Sequence, residues 1–255
     1  MRKRRRPDRL AARAVRADAE AGMAMTCRLD TAQVERVYER LFDAYGEQHW
    51  WPADTPFEVM LGAILTQNTS WQNVEKALDR LRGAVLLDAE SLLSMPREVL
   101  ADHLRPAGYY NLKAGRLAAF LAWYCEQGGY AALNALETAE LRSGLLGVHG
   151  IGPETADDML LYAFGRPVFV IDAYTRRLFG RLGMLPPDAP YESLRGAFEA
   201  AIPADARHYG EWHALIVAHA KSACRSRPVC AECPLRGLCP AALRQEAVGR
   251  PLYSN

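Results

Sequence analysis

The stretch Gly150-Ile151-Gly152-Pro153 limits the fold of this chain more than any other. Two glycines flanking one apolar residue make a tight turn. Proline directly after them suits the first position of a helix, where its missing N–H is not needed and its φ is already helical. Upstream, the leucines of the segment from Leu136 to Leu146 recur at helical spacing, so the region predicts helix, hairpin, helix. Free N–H groups around Gly150 and Gly152 can grip a phosphate at the helix N-terminus, and the hairpin carbonyls can bridge a monovalent cation. His149, inside the turn, either contacts that phosphate or fills space. Twenty residues past Gly152, the apolar run Val168-Phe169-Val170-Ile171 ends on a lone carboxylate, Asp172. Local chemistry reads it as the N-cap of a helix beginning at Ala173, a role compatible with a second, chemical one.

Four of the six cysteines, Cys224, Cys230, Cys233 and Cys239, form the pattern C-x5-C-x2-C-x5-C near the C-terminus. Four thiolates so close would repel unless a metal neutralises them, so the spacing points to zinc or to an iron-sulfur site. Disulfides fit less well, because no signal peptide or apolar span argues for export. Lys221, Arg225 and Arg227 stand in and before the first cysteine loop, either as phosphate contacts or as a solvated basic loop.

A formal net charge of +1 conceals an asymmetry. Residues 1–16 hold eight Lys or Arg against the single acid Asp8, leaving 23 bases against 29 acids in the remainder. Residues 1–26 therefore read as a basic arm without a packed face. The acidic body can bind nucleic acid only through a locally basic face and backbone N–H groups. Nothing in the hydropathy suggests a membrane. With half of 255 residues hydrophobic, the chain can bury one large core or two modest ones.

The rest of the chain reads as helices: 31–45, 57–66, 92–104, 112–125, 133–146, 194–202 and 210–223, with no β-pattern of useful length. Between the first two, Trp50 and Trp51 are adjacent in a proline-bounded loop, so at least one ring lines a surface or cavity. The polar run Gln67-Asn68-Thr69-Ser70 before Trp71 ends an apolar helix and needs a partner. Arg176, Arg177 and Arg181 could form a phosphate-facing stripe, and Tyr109-Tyr110 marks a helix start or a buried tyrosine pair.

Taken together, Gly150 to Ala156, Ala163-Phe164-Gly165 and Asp172 resemble the helix-hairpin-helix and following aspartate of the endonuclease III superfamily of DNA glycosylases, a likeness running from about Thr31 to Pro240. The resemblance implies an all-α fold of two domains. Residues 52–166 would form a helical barrel carrying the hairpin, 27–51 would pack with 167–240 as the cluster domain, and 241–255 would be a tail. It implies a 4Fe-4S cluster on the four cysteines, although the family's first gap is one residue longer. Asp172 becomes the catalytic carboxylate, Gln67 the residue filling the space left by an extruded nucleotide, and Tyr109 a wedge in the duplex. Glu154 stands where bifunctional members carry a Schiff-base lysine. The set Trp50, Trp51 and Trp71, with Glu154, is similar to the 3-methyladenine DNA glycosylase III branch, from which this chain departs by keeping the cluster cysteines.

The function this implies is monofunctional excision of a damaged, alkylated base from double-stranded DNA, by a monomer in the cytoplasm, associated with the nucleoid in a bacterium. The rival readings are a bifunctional glycosylase and lyase using another lysine, a non-catalytic binder of damaged DNA, and a zinc-bound structural protein.

Overall fold

The computed structural model describes residues 27–247 apart from 52, 85, 86 and 187, so the basic arm over 1–26, Pro52 of the tryptophan loop and the tail residues 248–255 lie outside the described residues. Among those described there is no strand, and the fold is all-α. In chain order the helices are α1 (Thr31–Tyr45), α2 (Pro56–Leu65), α3 (Trp71–Ala84), α4 (Ala89–Ser94) and α5 (Arg97–His103), followed by a 3-10 turn (Arg105–Ala107). Next come α6 (Tyr110–Glu126), α7 (Gly129–Asn134), α8 (Thr138–Gly147) and α9 (Pro153–Asp158), which runs on into a π turn (Met159–Ala163). The chain finishes with α10 (Ala173–Arg181), α11 (Tyr191–Ala201), α12 (Ala206–Ser222), a 3-10 turn (Arg236–Leu238) and α13 (Pro240–Ala247).

Short polar side chains start many of these helices. Asp30, Thr55, Asp88, Asp172 and Asp205 each accept from the backbone N–H three residues on, satisfying a donor that the helix itself leaves unpaired. Two segments expected as single helices are each divided. Pro96 excludes helical geometry at the residue before it, and Met95 is extended (φ −69°, ψ 131°), so 92–104 splits into α4 and α5. Residues 133–146 divide where Glu137 goes extended ahead of α8. Helix α3 was absent from the sequence reading, although Val74, Ala77, Leu78 and Leu81 are buried at helical spacing. Residues 241–247, expected as tail, instead continue as α13 with Ala242 buried.

The buried apolar side chains form two cores. One is built from residues 59–168, and α2 runs through it with every residue from Glu58 to Leu65 buried. The other joins Val34, Val37 and Leu41 of α1 to residues 161–242. At about 1.5–3 kcal/mol for each fully buried large aliphatic or aromatic side chain, either core far outweighs any single cap. Glu58, the charge inside α2, is paired with Arg82 of α3 and also accepts from Asp54 N at 2.8 Å. The chain passes from the first core to the second in the π turn, where Leu160 packs in one and Leu161 in the other.

Candidate active site

Between the two cores lies a cavity of about 590 Å³, lined by Trp50, Trp51, Trp71, Glu154, Asp158, Asp172, His213 and Lys221, with Thr66 to Ser70 along one wall. The structure gathers the three indoles, Glu154 and Asp172 around this one cavity. Trp51 is the centre of the aromatic wall, its ring 5.9 Å from Trp50, 5.1 Å from Trp71 and 5.0 Å from Tyr162. Gly62 makes room for this stack: a Cβ there would stand 3.0 Å from the Trp71 ring. Lys221 places its ammonium 5.5 Å from the Trp50 ring, an attractive arrangement for a cation over a π face.

Asp172 is 7% exposed. Its Oδ1 caps α10, accepting from Thr175 N at 2.6 Å and Thr175 Oγ1 at 2.8 Å, so the N-cap role and the cavity position coexist in one residue. Its Oδ2 lies 3.6 Å from His213 Nε2. Burial alone would raise the Asp172 carboxyl, but His213 and then Thr175 outweigh it and hold the group below its ordinary value. The other two acids behave oppositely. Burial, and then Asp172, push Glu154 up. Burial takes Asp158 up to about 8, with His213 opposing and Glu154 and Asp172 adding to the rise, and Asp158 Oδ1 is shielded without a partner.

Sequence reading missed Asp158 and His213. A lone histidine in the otherwise apolar run from Trp212 to Val217 was the available signal, because a buried imidazole needs a partner.

The hairpin takes the expected form. Gly150 has φ +90°, a backbone region that side chains rarely adopt, and an added Cβ would collide with Arg116. Gly152 starts α9, and His149 is exposed. Gln67 is bound to this hairpin: its Nε2 donates to Gly150 O at 3.2 Å and Thr155 Oγ1 at 2.9 Å, while its Oε1 accepts from Arg116. Two hairpin carbonyls, Val148 and Gly150, thus already accept from Ile151 N and Gln67. Tyr109 stands out at 68% exposure, with φ +46°, and Leu112 beside it is also exposed.

The arginine stripe is a correction. Arg176 donates to Ala189 O at 2.9 Å, Arg177 to Cys224 O at 2.8 Å, and Arg181 to Arg225 O at 2.6 Å and Ser226 O at 2.9 Å. These guanidinia act as struts to backbone carbonyls because each helix face lies against a loop with unpaired C=O groups. Lys221, Arg225 and Arg227 remain exposed.

Cys224, Cys230, Cys233 and Cys239 line one cavity of about 270 Å³. Among the described residues no three Cys, His, Asp or Glu side chains converge as the ligands of a single metal ion do. Four thiols spread around one apolar space suit a multi-iron cluster better than one tetrahedral zinc, whose sulfurs would each lie about 2.3 Å from the ion. Arg181 Nη1 already points at Cys224 Sγ, 3.3 Å away, and His219 Nε2 lies 3.8 Å from Cys233 Sγ, as donors to metal-bound thiolates would.

The model for HhH-GPD superfamily base excision DNA repair proteins matches residues 61–204, a span that contains the hairpin, Glu154 and Asp172. The chain belongs to that superfamily. Among its relatives, the putative DNA repair glycosylase MJ1434 of Methanocaldococcus jannaschii is 45% identical over 209 residues, covering 81% of this chain and 95% of that protein. Endonuclease III of Thermotoga maritima is 28% identical, covering 72% and 82%. Among solved structures, the H. pylori 3-methyladenine DNA glycosylase MagIII bound to 1,N6-ethenoadenine aligns with a TM-score of 0.64 and 28% identity, covering 76% of this chain and 98% of that one. An endonuclease III in non-covalent complex with DNA aligns at 0.75 with 22% identity, covering 86% and 99%, a likeness of fold. No helix among the described residues of this HhH-GPD protein is long and apolar enough to cross a membrane.

Proposed function

We propose that this protein is a monofunctional DNA glycosylase that removes an alkylated, cationic base from duplex DNA by hydrolysis assisted by Asp172. The observation that carries the reading is the cavity itself: three indoles and three carboxyls enclose one space, with a carboxylate at the position where a lyase would hold its lysine. A positively charged alkylated purine gains from indole faces and from acidic neighbours, and its charge already makes it a good leaving group. The base must first leave the duplex stack, at a cost of a few kcal/mol. Tyr109, exposed on its left-handed turn, suits a wedge that offsets this cost. Gln67 would have to release the hairpin to fill the vacated space.

In the reaction, the bond between C1′ and the base nitrogen breaks with its electron pair leaving on the base. Asp172 Oδ2 stabilises the cationic sugar and takes the proton of the water that adds to C1′. The hairpin N–H groups, with His149, Lys221, Arg225 and Arg227, would hold phosphates, and a monovalent cation could sit on the hairpin carbonyls. The four cysteines would hold a 4Fe-4S cluster that braces the loop carrying Arg225 and Arg227. Hydrolysis needs no redox step from it. The working form is read as a monomer on double-stranded DNA.

A second reading has its own observation. Lys221 is an amine on the cavity wall, whereas the buried Lys113 is bound by Leu65 O and Ala107 O, at 2.8 and 2.7 Å. If Lys221 captured the sugar aldehyde, the enzyme would also be a lyase. Release of bases from alkylated duplex DNA, followed by borohydride reduction, separates the two. Free base without a covalent protein–DNA adduct is expected. An adduct that disappears in Lys221→Gln would establish the lyase reading, and loss of neither base nor strand would refute both.

A further inference from the structure

Asp172 uses Oδ1 on Thr175, which leaves Oδ2 as the oxygen that can serve the reaction. Facing Oδ2 is His213 Nε2, an atom wholly shielded and without a hydrogen-bond partner, at 3.6 Å. On the far side of the ring, Nδ1 lies 2.7 Å from the Tyr162 hydroxyl, which reaches Gly210 O at 3.3 Å. The hydroxyl hydrogen has two places to go. If Tyr162 donates to Nδ1, the neutral ring carries its proton on Nε2. If Tyr162 donates to Gly210 O, Nδ1 is itself a donor, and a bare Nε2 lone pair against a carboxylate is repulsive, so the ring is an imidazolium. Either way a proton on Nε2 points at Asp172.

The groups around that imidazole are almost all acids. Glu154, Asp158 and Tyr162 come from α9 and the π turn, Asp172 from α10 and Glu211 from α12 itself, while Lys221 lines the same cavity and Arg176 lies near Glu154. Three carboxyls line one cavity, Asp172 buried, Asp158 partly exposed and Glu154 exposed, and the geometry gives only Asp172 a facing donor.

We infer that His213 is the positioning residue of the site: through Nε2–H it fixes the orientation of Asp172 Oδ2 and makes Asp172, rather than Glu154 or Asp158, the acid that bears the negative charge. The inference rests on Asp172 being the reacting carboxylate. The opposite directions of the three acids accord with it, Asp172 held down and the other two raised. Catalytic hydrogen bonds are often long in the free enzyme and shorten only once substrate is bound, so 3.6 Å is compatible with this role.

The test uses the full chain on alkylated duplex DNA in single turnover, with His213→Phe, His213→Gln and Asp172→Asn. His213→Phe should slow base release about a hundredfold with DNA affinity unchanged, and should move the acid limb of the pH–rate profile upward. His213→Gln, which keeps an N–H near Nε2, should recover most of the rate. Independently of activity, NMR titration of the histidine ring nitrogens should show the His213 midpoint falling in Asp172→Asn. An unchanged midpoint, or a folded His213→Phe with wild-type rate and limb, overturns the inference. Should the Phe variant fail to fold, a Gln variant that keeps the rate while Asp172→Asn lowers the midpoint supports it, and an unmoved midpoint sinks it. Full base release by Asp172→Asn would instead remove the glycosylase mechanism beneath it.

Discussion

Asp157 and Asp158 are consecutive residues of one short helix, and the protein treats them in opposite ways. Asp157 is fully buried and fully answered: Arg142 grips it with Nε at 2.6 Å and Nη2 at 3.1 Å, and the Tyr191 hydroxyl donates to it at 2.9 Å. Arg142 and Arg195 extend the network to Glu192, and Arg195 to Glu199. Tyr191 also accepts, at 3.4 Å, from Ile171 N, the residue before Asp172, so the hairpin helices α8 and α9 are tied to the backbone that carries Asp172. Asp158, on the cavity side, keeps an oxygen with no partner among other acids. A buried carboxylate that is completely paired serves the fold and stays charged, whereas a carboxyl left short of partners holds on to its proton.

The sharpest way to break this contrast is on the cavity side. Asp172→Asn should cut base release by about a thousandfold, within the usual range for losing a general base, and leave DNA affinity unchanged in a binding titration. On the paired side the effect should be on stability. Asp157→Asn removes one partner of a buried ion pair and should cost about 3 kcal/mol, read as a lower denaturant midpoint, with base release per folded molecule retained at low temperature.

Asp158→Asn should do the reverse. With a folded value of about 8 against roughly 3.9 in the unfolded chain, native Asp158 holds a proton that the unfolded chain has lost over that interval. Its contribution is thus favourable at low pH and is lost as pH rises through 8. The variant should gain on wild type by about 1 kcal/mol or more in thermal melts above that pH, and little near pH 4. A larger gain at low pH would reverse the assignment. The smallest stability effect belongs to Tyr109→Ala. Because the ring is exposed, melting should shift by no more than about 0.5 kcal/mol, while excision from duplex slows more than excision from single strands.

The same contrast explains what could be read from the sequence. The hairpin, the cap at Asp172 and the four cysteines announce themselves through local spacing, whereas Trp71 joined Trp50 and Trp51 only through the family resemblance. His213 and Asp158 meet across 55 positions, and a pairing of that span leaves no periodic trace. The arginines of α10 looked like a phosphate stripe because sequence gives their helical face but not what covers it. Those side chains were already bound to the carbonyls of Ala189, Cys224, Arg225 and Ser226. Helix α4 parts from α5 at Pro96, a residue visible in the sequence, because the residue before a proline is driven out of helical geometry.

The π turn at Met159–Ala163 widens the winding, with Phe164 N bonding back to Met159 O at 3.2 Å. Removing one residue from it would restore ordinary α pitch and rotate the downstream chain by about 100°. Tyr162 would then swing away from both Trp51 and His213, the two groups that it touches from opposite lobes. A single inserted residue, without any new side-chain chemistry, is therefore what lets one tyrosine hold the aromatic wall and the acid-facing imidazole in register.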